Sequence, residues 1–235
     1  MRLALGVVLA TAVSYPLGLL LGGGLLLPVL NTAAAYAAMV VLLRRGQRGP
    51  AVGLMLAWAA TLAVCATTAF ALWPAAPDGL VVNGPAYRDE MFHWIRTGEG
   101  REGRPLEFIP QHVLHLGGFV ALSLLTASAA SMVLGAALMN YMAFYVASLA
   151  RAGMPAGSVL LLGWQPWALC RVAAFVALGV VLAEPLLARL RPYPYAGLRS
   201  ARPFLVAAAA GIAADWILKA LLAPLWRTWL AAALP

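Results

Sequence analysis

Histidine and carboxylate side chains are concentrated in one short part of the chain. The three histidines, His93, His112 and His115, lie within 23 residues, and six of the eight acidic residues lie between Asp78 and Glu107. Imidazole and carboxylate groups bind Zn, Cu and Fe, and three such ligands with one open position are typical of a catalytic metal site. The composition of this segment therefore predicts a metal centre.

The spacing within the segment supports that prediction. Asp89 and Glu90 lie four and three residues before His93, so on a helix either carboxylate shares a face with the imidazole. His112 and His115 are again one turn apart. We expect these five residues to hold one transition metal, with Asp89 or Glu90 as the carboxylate ligand. Heme ligation by two of the histidines is one alternative. A second is an ordinary aqueous loop without a metal, because histidine and acidic residues are common in such loops.

The composition of the whole chain indicates a membrane protein. Of the 235 residues, 63% are hydrophobic and 10% are charged, whereas a soluble domain has about half and about a quarter. This excludes a soluble enzyme, a disordered chain and a nucleic-acid-binding domain. The net charge of +8 comes from short loops and indicates no nucleic-acid partner. The sequence has no Walker loop, so ATP is not expected to bind. Cys65 and Cys170 lie in apolar runs and predict no disulfide.

The apolar runs predict an all-α, single membrane domain over residues 1–235 with about seven transmembrane helices, the range being six to eight. A hairpin is expected at glycines 22–24, a division of the long run 111–150 near residues 131–135, and a break in the sixth span near Gln165-Pro166. The expected spans cover residues 3–43 (two helices), 51–73, 111–150 (two helices), 159–190 and 203–225, with a polar segment over 74–110.

The basic residues predict the orientation. Arg2 and the loops Arg44–Arg48 and Arg189–Arg202 contain eight arginines and no acid. Seven spans place all three on one side, which is cytoplasmic by the positive-inside rule. We therefore expect a multi-pass protein of the cell membrane with a cytoplasmic N-terminus, and with segment 74–110 and the C-terminus outside.

Charged residues inside the spans are a second group of candidates, since intramembrane charge is costly and often functional. Asp215 and Lys219 are four residues apart and are expected to pair on one helix face. Arg171 and Glu184 lie in the sixth span. For all four, an interhelical clamp is the structural alternative, and Arg171 could also extend to the membrane surface.

Polar side chains also run through the fourth and fifth spans. Ser123, Asn140 and Tyr141 could line a path for a substrate. Small and hydroxyl residues more often support close packing of membrane helices. Packing is therefore the favoured interpretation of this stripe.

The segment from Asp89 to His112 resembles the copper-site segment of the C subunit of the particulate methane and ammonia monooxygenases. It contains Asp-x-x-x-His (Asp89 and His93), a linker, and Phe-x-Pro-x-His at the start of a span (residues 108–112). The resemblance covers about 25 residues, and the linker is longer here. It implies a copper ion held by Asp89, His93 and His112, and partner membrane subunits.

Three functions follow as hypotheses. The first is a membrane metalloprotein with an outward-facing site, and in its more specific form a metal-dependent enzyme that acts on a lipid or a hydrophobic small molecule. The second is a transporter or permease component that uses Arg171, Asp215 and Lys219, since broken helices and midplane charges recur in transporters. The third is a non-catalytic subunit or assembly factor of a larger membrane complex. Besides the lipid bilayer, the expected partners are other membrane subunits or further copies of the chain in a homo-oligomer.

Overall fold

The chain folds into a bundle of α-helices. The computed structural model describes residues 2–73, 77–190 and 197–235. In chain order the helices are α1 (Arg2–Leu20), α2 (Leu26–Arg44), α3 (Arg48–Leu72), α4 (Pro77–Leu80), α5 (Gly84–Thr97), α6 (Pro105–Thr126), α7 (Ala129–Arg151), α8 (Ala156–Leu162), α9 (Pro166–Leu190) and α10 (Arg202–Ala233). One-turn 3₁₀ helices cover Arg101–Gly103 and Leu198–Ala201.

Seven of these helices are long and apolar enough to cross a membrane: α1, α2, α3, α6, α7, α9 and α10. The prediction of an all-α membrane bundle with seven spans is confirmed. The expected glycine hairpin separates α1 from α2, and the break at Gln165 separates α8 from α9. Residues 74–76 of the predicted outer segment and 191–196 of the predicted basic loop lie outside the described residues.

The predicted division of the run 111–150 was placed too late in the sequence. The turn lies at Ala127 and Ser128, which have φ values of 50° and 67°. The Ser128 amide donates to the Ser123 carbonyl at 2.9 Å, and the Ser128 hydroxyl donates to the Gly179 carbonyl at 2.6 Å. These bonds compensate for the left-handed backbone, which an alanine and a serine rarely adopt.

Two helices are longer than the apolar runs indicate. Helix α6 begins at Pro105, because proline suits the first turn of a helix. Helix α10 has 32 residues, about 48 Å at 1.5 Å per residue, and therefore exceeds the ~30 Å hydrocarbon core. Arg227 near its end donates to the Trp94 and Ile95 carbonyls of α5, at 3.2 Å each.

Four helices enclose the centre of the bundle. Helix α3 packs on α7, α7 on α6, α6 on α9, and α9 on α3, so that α7 and α9 face each other across the ring. Helices α1 and α2 cover one side of α3 and α7. Helix α10 packs along the outside of α9. The ring of α3, α6, α7 and α9 is the part of the fold that can hold a molecule.

The two ends of the bundle are marked by arginine contacts. At one end, Arg48 of α3 binds Glu184 of α9 (Nε to Oε1, 2.9 Å) and Ser200 (3.0 Å). At the other end, Arg151 of α7 donates to the Phe70 carbonyl of α3 at 3.4 Å. The start of α3 and the segment 197–201 before α10 therefore lie at the same end, as expected. The contact between Glu184 and Arg48 is a structural clamp between α9 and α3. Which end of the bundle faces the cytoplasm stays a prediction.

Asn140 joins three helices through side-chain hydrogen bonds. It accepts from the Tyr15 hydroxyl at 2.8 Å and donates to Asn31 Oδ1 at 2.8 Å. Asn31 in turn donates to Ser14 at 2.6 Å. Asn140 is 2% exposed, and its polar groups are satisfied by α1 and α2. This contact favours the packing interpretation of Asn140 over the substrate path.

We predict that Asn140→Leu destabilises the bundle, because it leaves the Tyr15 hydroxyl and the Asn31 amide without their partner. Hydrogen bonds between membrane helices contribute about 0.6 kcal/mol on average and up to ~1.7. The expected loss for two bonds is about 1–2 kcal/mol, measured as the free energy of unfolding in mixed micelles. Thr61→Val is the control, since Thr61 is exposed and bonds only to its own helix. Equal values for the two variants would contradict the clamp.

Candidate functional site

A cavity of about 130 Å³ lies inside the ring of α3, α6, α7 and α9. Most of its wall is apolar. The apolar lining includes five methionines, two phenylalanines and one tryptophan: Met39, Met55, Met132, Met139, Met142, Phe119, Phe175 and Trp58. The polar lining comprises Tyr87, Glu102, Gln111, His112, His115, Tyr141 and Arg171, together with Ser131. Apart from Ser131, these polar residues come from the end of the bundle next to α5.

Three buried or half-buried groups from three helices meet at this polar end. His112 Nδ1 of α6 lies 3.2 Å from Asp215 Oδ2 of α10. The other ring nitrogen of His112 is in hydrogen-bond contact with Arg171 of α9. Arg171 also lies 3.8 Å from Asp215 Oδ2. The side chains of His112 and Asp215 are 7% and 2% exposed, so water does not compete with these contacts.

The contacts define how the His112 ring is protonated. A guanidinium has only N–H donors, so Nε2 of His112 must accept from Arg171. The ring proton of a neutral imidazole then sits on Nδ1, which faces the Asp215 carboxylate. An aspartate that holds a histidine in one tautomer is the arrangement that prepares the second nitrogen as a base.

A second buried ion pair lies one turn further along α10. Lys219 Nζ is 2.9 Å from Glu102 Oε2, with side-chain exposures of 2% and 14%. The ammonium also lies 4.6 Å from the centre of the Phe108 ring, a cation–π contact. The Phe108 ring in turn packs against His112, with ring centres 5.4 Å apart. The two ion pairs therefore form one continuous cluster.

Helix α10 thus contacts the site from outside the ring of α3, α6, α7 and α9. The sequence predicts that Asp215 and Lys219 pair with each other, but each binds a different residue that lines the cavity. The i, i+4 spacing places both charges on one face, and that face packs on the end of the bundle where His112 and Glu102 lie. Sequence spacing alone gives no information on those tertiary partners.

The predicted metal ligands do not come together. Asp89 and His93 are exposed on α5, where Asp89 binds Arg88 at 2.8 Å. Glu90 lies 3.6 Å from Arg101. Among the described residues, no group of three or more His, Cys, Asp or Glu side chains could hold a metal ion. The donor set implied by the monooxygenase resemblance therefore does not fit, and the metal centre stays a prediction.

His93 contributes to a separate cleft at the surface. This cleft has a volume of about 680 Å³ and lies between α5 and the end of α7. Three arginines line it, together with Asp89 and His93: Arg88, Arg96 and Arg151. Two of them, Arg88 and Arg151, lie over the Phe144 ring at 5.6 and 5.2 Å.

The three predicted path residues divide between two roles. Tyr141 lines the cavity, and its ring centre lies 4.7 Å from that of Tyr87. Ser123 binds Ser131 at 2.7 Å and serves the packing of α6 on α7. Asn140 serves the clamp described above.

Burial raises the pKa of the Tyr87 phenol well above its usual range, so this group remains a hydrogen-bond donor.

Sequence reasoning missed three polar residues that line the cavity, and its five methionines. Glu102 lies in a charged stretch that reads as a solvated loop, and Gln111 and Tyr87 carry no motif. The methionines were also missed, although they recur along α2, α3 and α7. Lys219 could have indicated Glu102, because a lysine inside a span requires an acidic partner.

No family model matches the chain, and neither a curated protein nor a solved structure matches it significantly. The functional argument therefore depends on the geometry of the cavity.

We predict that Lys219→Met destabilises the protein by about 3–5 kcal/mol, because it leaves the Glu102 carboxylate buried without its partner. The double variant Lys219→Met/Glu102→Gln is expected to recover most of this loss. The measurement is the free energy of unfolding in mixed micelles.

The control for this pair is Glu90→Gln. Its carboxylate faces the exposed Arg101 at 3.6 Å, and such surface pairs contribute below about 1 kcal/mol. Additive effects of the Lys219 and Glu102 substitutions would show that the two side chains do not interact.

Proposed function

We propose that the protein is a membrane-embedded enzyme that acts on a lipid or another hydrophobic small molecule bound in the central cavity. The observation that carries this proposal is the Asp215–His112 pair at the polar end of an otherwise apolar cavity. A packing role alone would not require a histidine that is held by a buried aspartate and also faces a cavity.

His112 is the group that moves a proton in this proposal. With Arg171 on Nε2 and Asp215 3.2 Å from Nδ1, the ring proton stays on Nδ1. The lone pair of Nε2 can then accept a proton from water or from a substrate hydroxyl once the substrate takes over the N–H of Arg171. Arg171 lies beside Nε2 and has further N–H groups to stabilise negative charge on a substrate oxygen. Glu102, held by Lys219, is a second ionisable group on the same cavity wall.

We assign no step to a metal ion, because the predicted ligands lie in different parts of the structure. The transporter hypothesis uses the same buried charges, and the subunit hypothesis uses none of them. The three hypotheses differ in one observable result: only an enzyme changes the covalent structure of the molecule it binds.

The experiment is therefore a search for chemical change in an untargeted lipid mixture. Protein in nanodiscs is incubated with a total membrane lipid extract, and the products are followed by mass spectrometry over time. We expect at least one species to be consumed and one to accumulate beyond one equivalent per protein. His112→Gln is expected to lower the rate by about a hundredfold or more, as for loss of a general base.

The matched control is His93→Gln, which changes the same residue type on the exposed face of α5 and should leave the rate unchanged. If the parent protein converts no species, the enzymatic proposal is wrong. If His93→Gln lowers the rate as much as His112→Gln, the assignment of the base is wrong.

A further inference from the structure

The shape and polarity of the cavity restrict what it can bind. Its lining extends from Ala168 to Val180 on α9 and from Ser131 to Met142 on α7, which is about 16–18 Å along each helix at 1.5 Å per residue. A volume of about 130 Å³ over that length makes the cavity narrow. A space that is long and of so small a volume is too small for a fused ring system or for two parallel chains, and an unbranched hydrocarbon chain is the lipid shape that follows it.

The apolar part of the wall suits such a chain. Ordered water needs polar partners, so a hydrocarbon that enters the apolar part of the cavity displaces little of it. The five methionines have flexible, polarisable side chains that adapt to a chain of variable conformation. Gly135 of α7 also lines the cavity, and a Cβ atom placed there would meet nothing within 4 Å.

The formal charges at the polar end are balanced. Arg171 and Lys219 provide two positive charges, and Asp215 and Glu102 provide two negative charges. A ligand with a net charge would therefore leave an uncompensated charge in a buried site, which is costly. A head group without net charge avoids this cost.

Hydrogen-bond donors are available at the same end. Arg171 uses one N–H on His112, and the described residues supply no hydrogen bond to its Nε or NH2 groups. The hydroxyls of Tyr87 and Tyr141 and the amide of Gln111 also line the cavity. The Glu102 carboxylate is an acceptor, but it is bound by Lys219. This set favours a head group with an oxygen acceptor.

From these observations we infer that the cavity binds a single-chain molecule with an uncharged carbonyl head, such as a fatty acyl ester or amide. Its carbonyl oxygen accepts from Arg171, and its chain lies between α7 and α9 towards Met132 and Val180. This inference deepens the proposed function, on which its role as a substrate depends. The binding geometry itself holds whether or not the molecule is converted.

The test uses three photoreactive probes with the same unbranched chain and a diazirine at the chain end. Their heads are a methyl ester, a carboxylate and a trimethylammonium group. Each is added to the protein in nanodiscs and irradiated, and the labelled residues are mapped by mass spectrometry. We expect the ester to label the inner end of the cavity, near Met132 and Val180, at least tenfold more than the ammonium probe and more than the carboxylate.

Two variants localise the binding. Gly135→Leu fills the cavity at mid-length and should abolish the labelling of its inner end. Gly53→Leu is the control, because Gly53 is exposed on α3 and also has nothing within 4 Å of an added Cβ. Arg171→Gln should lower labelling by the ester and remove its advantage over the ammonium probe.

The outcomes separate this inference from the enzymatic proposal. Equal labelling by all three heads, or strongest labelling by the carboxylate, would overturn the uncharged carbonyl head. Absence of cavity labelling in the parent protein would overturn the single-chain ligand. An ester that labels the cavity but is recovered intact, together with no turnover in the lipid extract, would support the binding site and contradict the enzyme.

Discussion

The free-energy cost of placing charges inside a membrane is the constraint on which the site depends. Asp215 and Lys219 are each 1% exposed, and an unpaired charge at either position would strongly destabilise the bundle. Each charge is compensated by a residue from another element, Asp215 by His112 and Arg171, and Lys219 by Glu102. The contacts that compensate the two charges of α10 are therefore the same contacts that orient the cavity-lining groups.

This arrangement separates the groups that line the cavity from the charges that compensate them. The cavity is enclosed by α3, α6, α7 and α9, whereas the supporting charges come from α10 outside that ring. Rigid helices on both sides of His112 leave the ring little freedom, which is the condition for a precisely oriented base. The apolar remainder of the cavity can then bind a chain without affecting that orientation.

The sequence predicted the fold better than the site. Seven apolar runs, the glycine hairpin and the break at Gln165 depend on local composition, and the structure confirms them. The turn at Ala127 and Ser128 is hard to predict because neither residue usually adopts the left-handed backbone that it has there, and its stability comes from a bond to Gly179 on a distant helix. Local sequence carries no information on such a bond.

The site shows the same limit. His112, His115, Arg171, Asp215 and Lys219 were all identified as candidates, but they were divided between a metal centre and a membrane charge pair. Their actual relation requires α6, α9 and α10 to meet at one level of the bundle, and no spacing within a helix shows that. Residue type therefore identified the candidate groups, whereas tertiary packing determined their partners.

The most direct test of the account is the protonation state of the His112 ring, measured by ¹⁵N NMR on histidine-labelled protein in nanodiscs, with His112→Gln used to assign the signals. The structure predicts one fixed neutral tautomer, with the proton on Nδ1 next to the Asp215 carboxylate and an unprotonated Nε2 that accepts a hydrogen bond from Arg171. A proton on Nε2, or averaging between tautomers as expected for the exposed His93, would show that Asp215 does not orient His112 and would contradict the account.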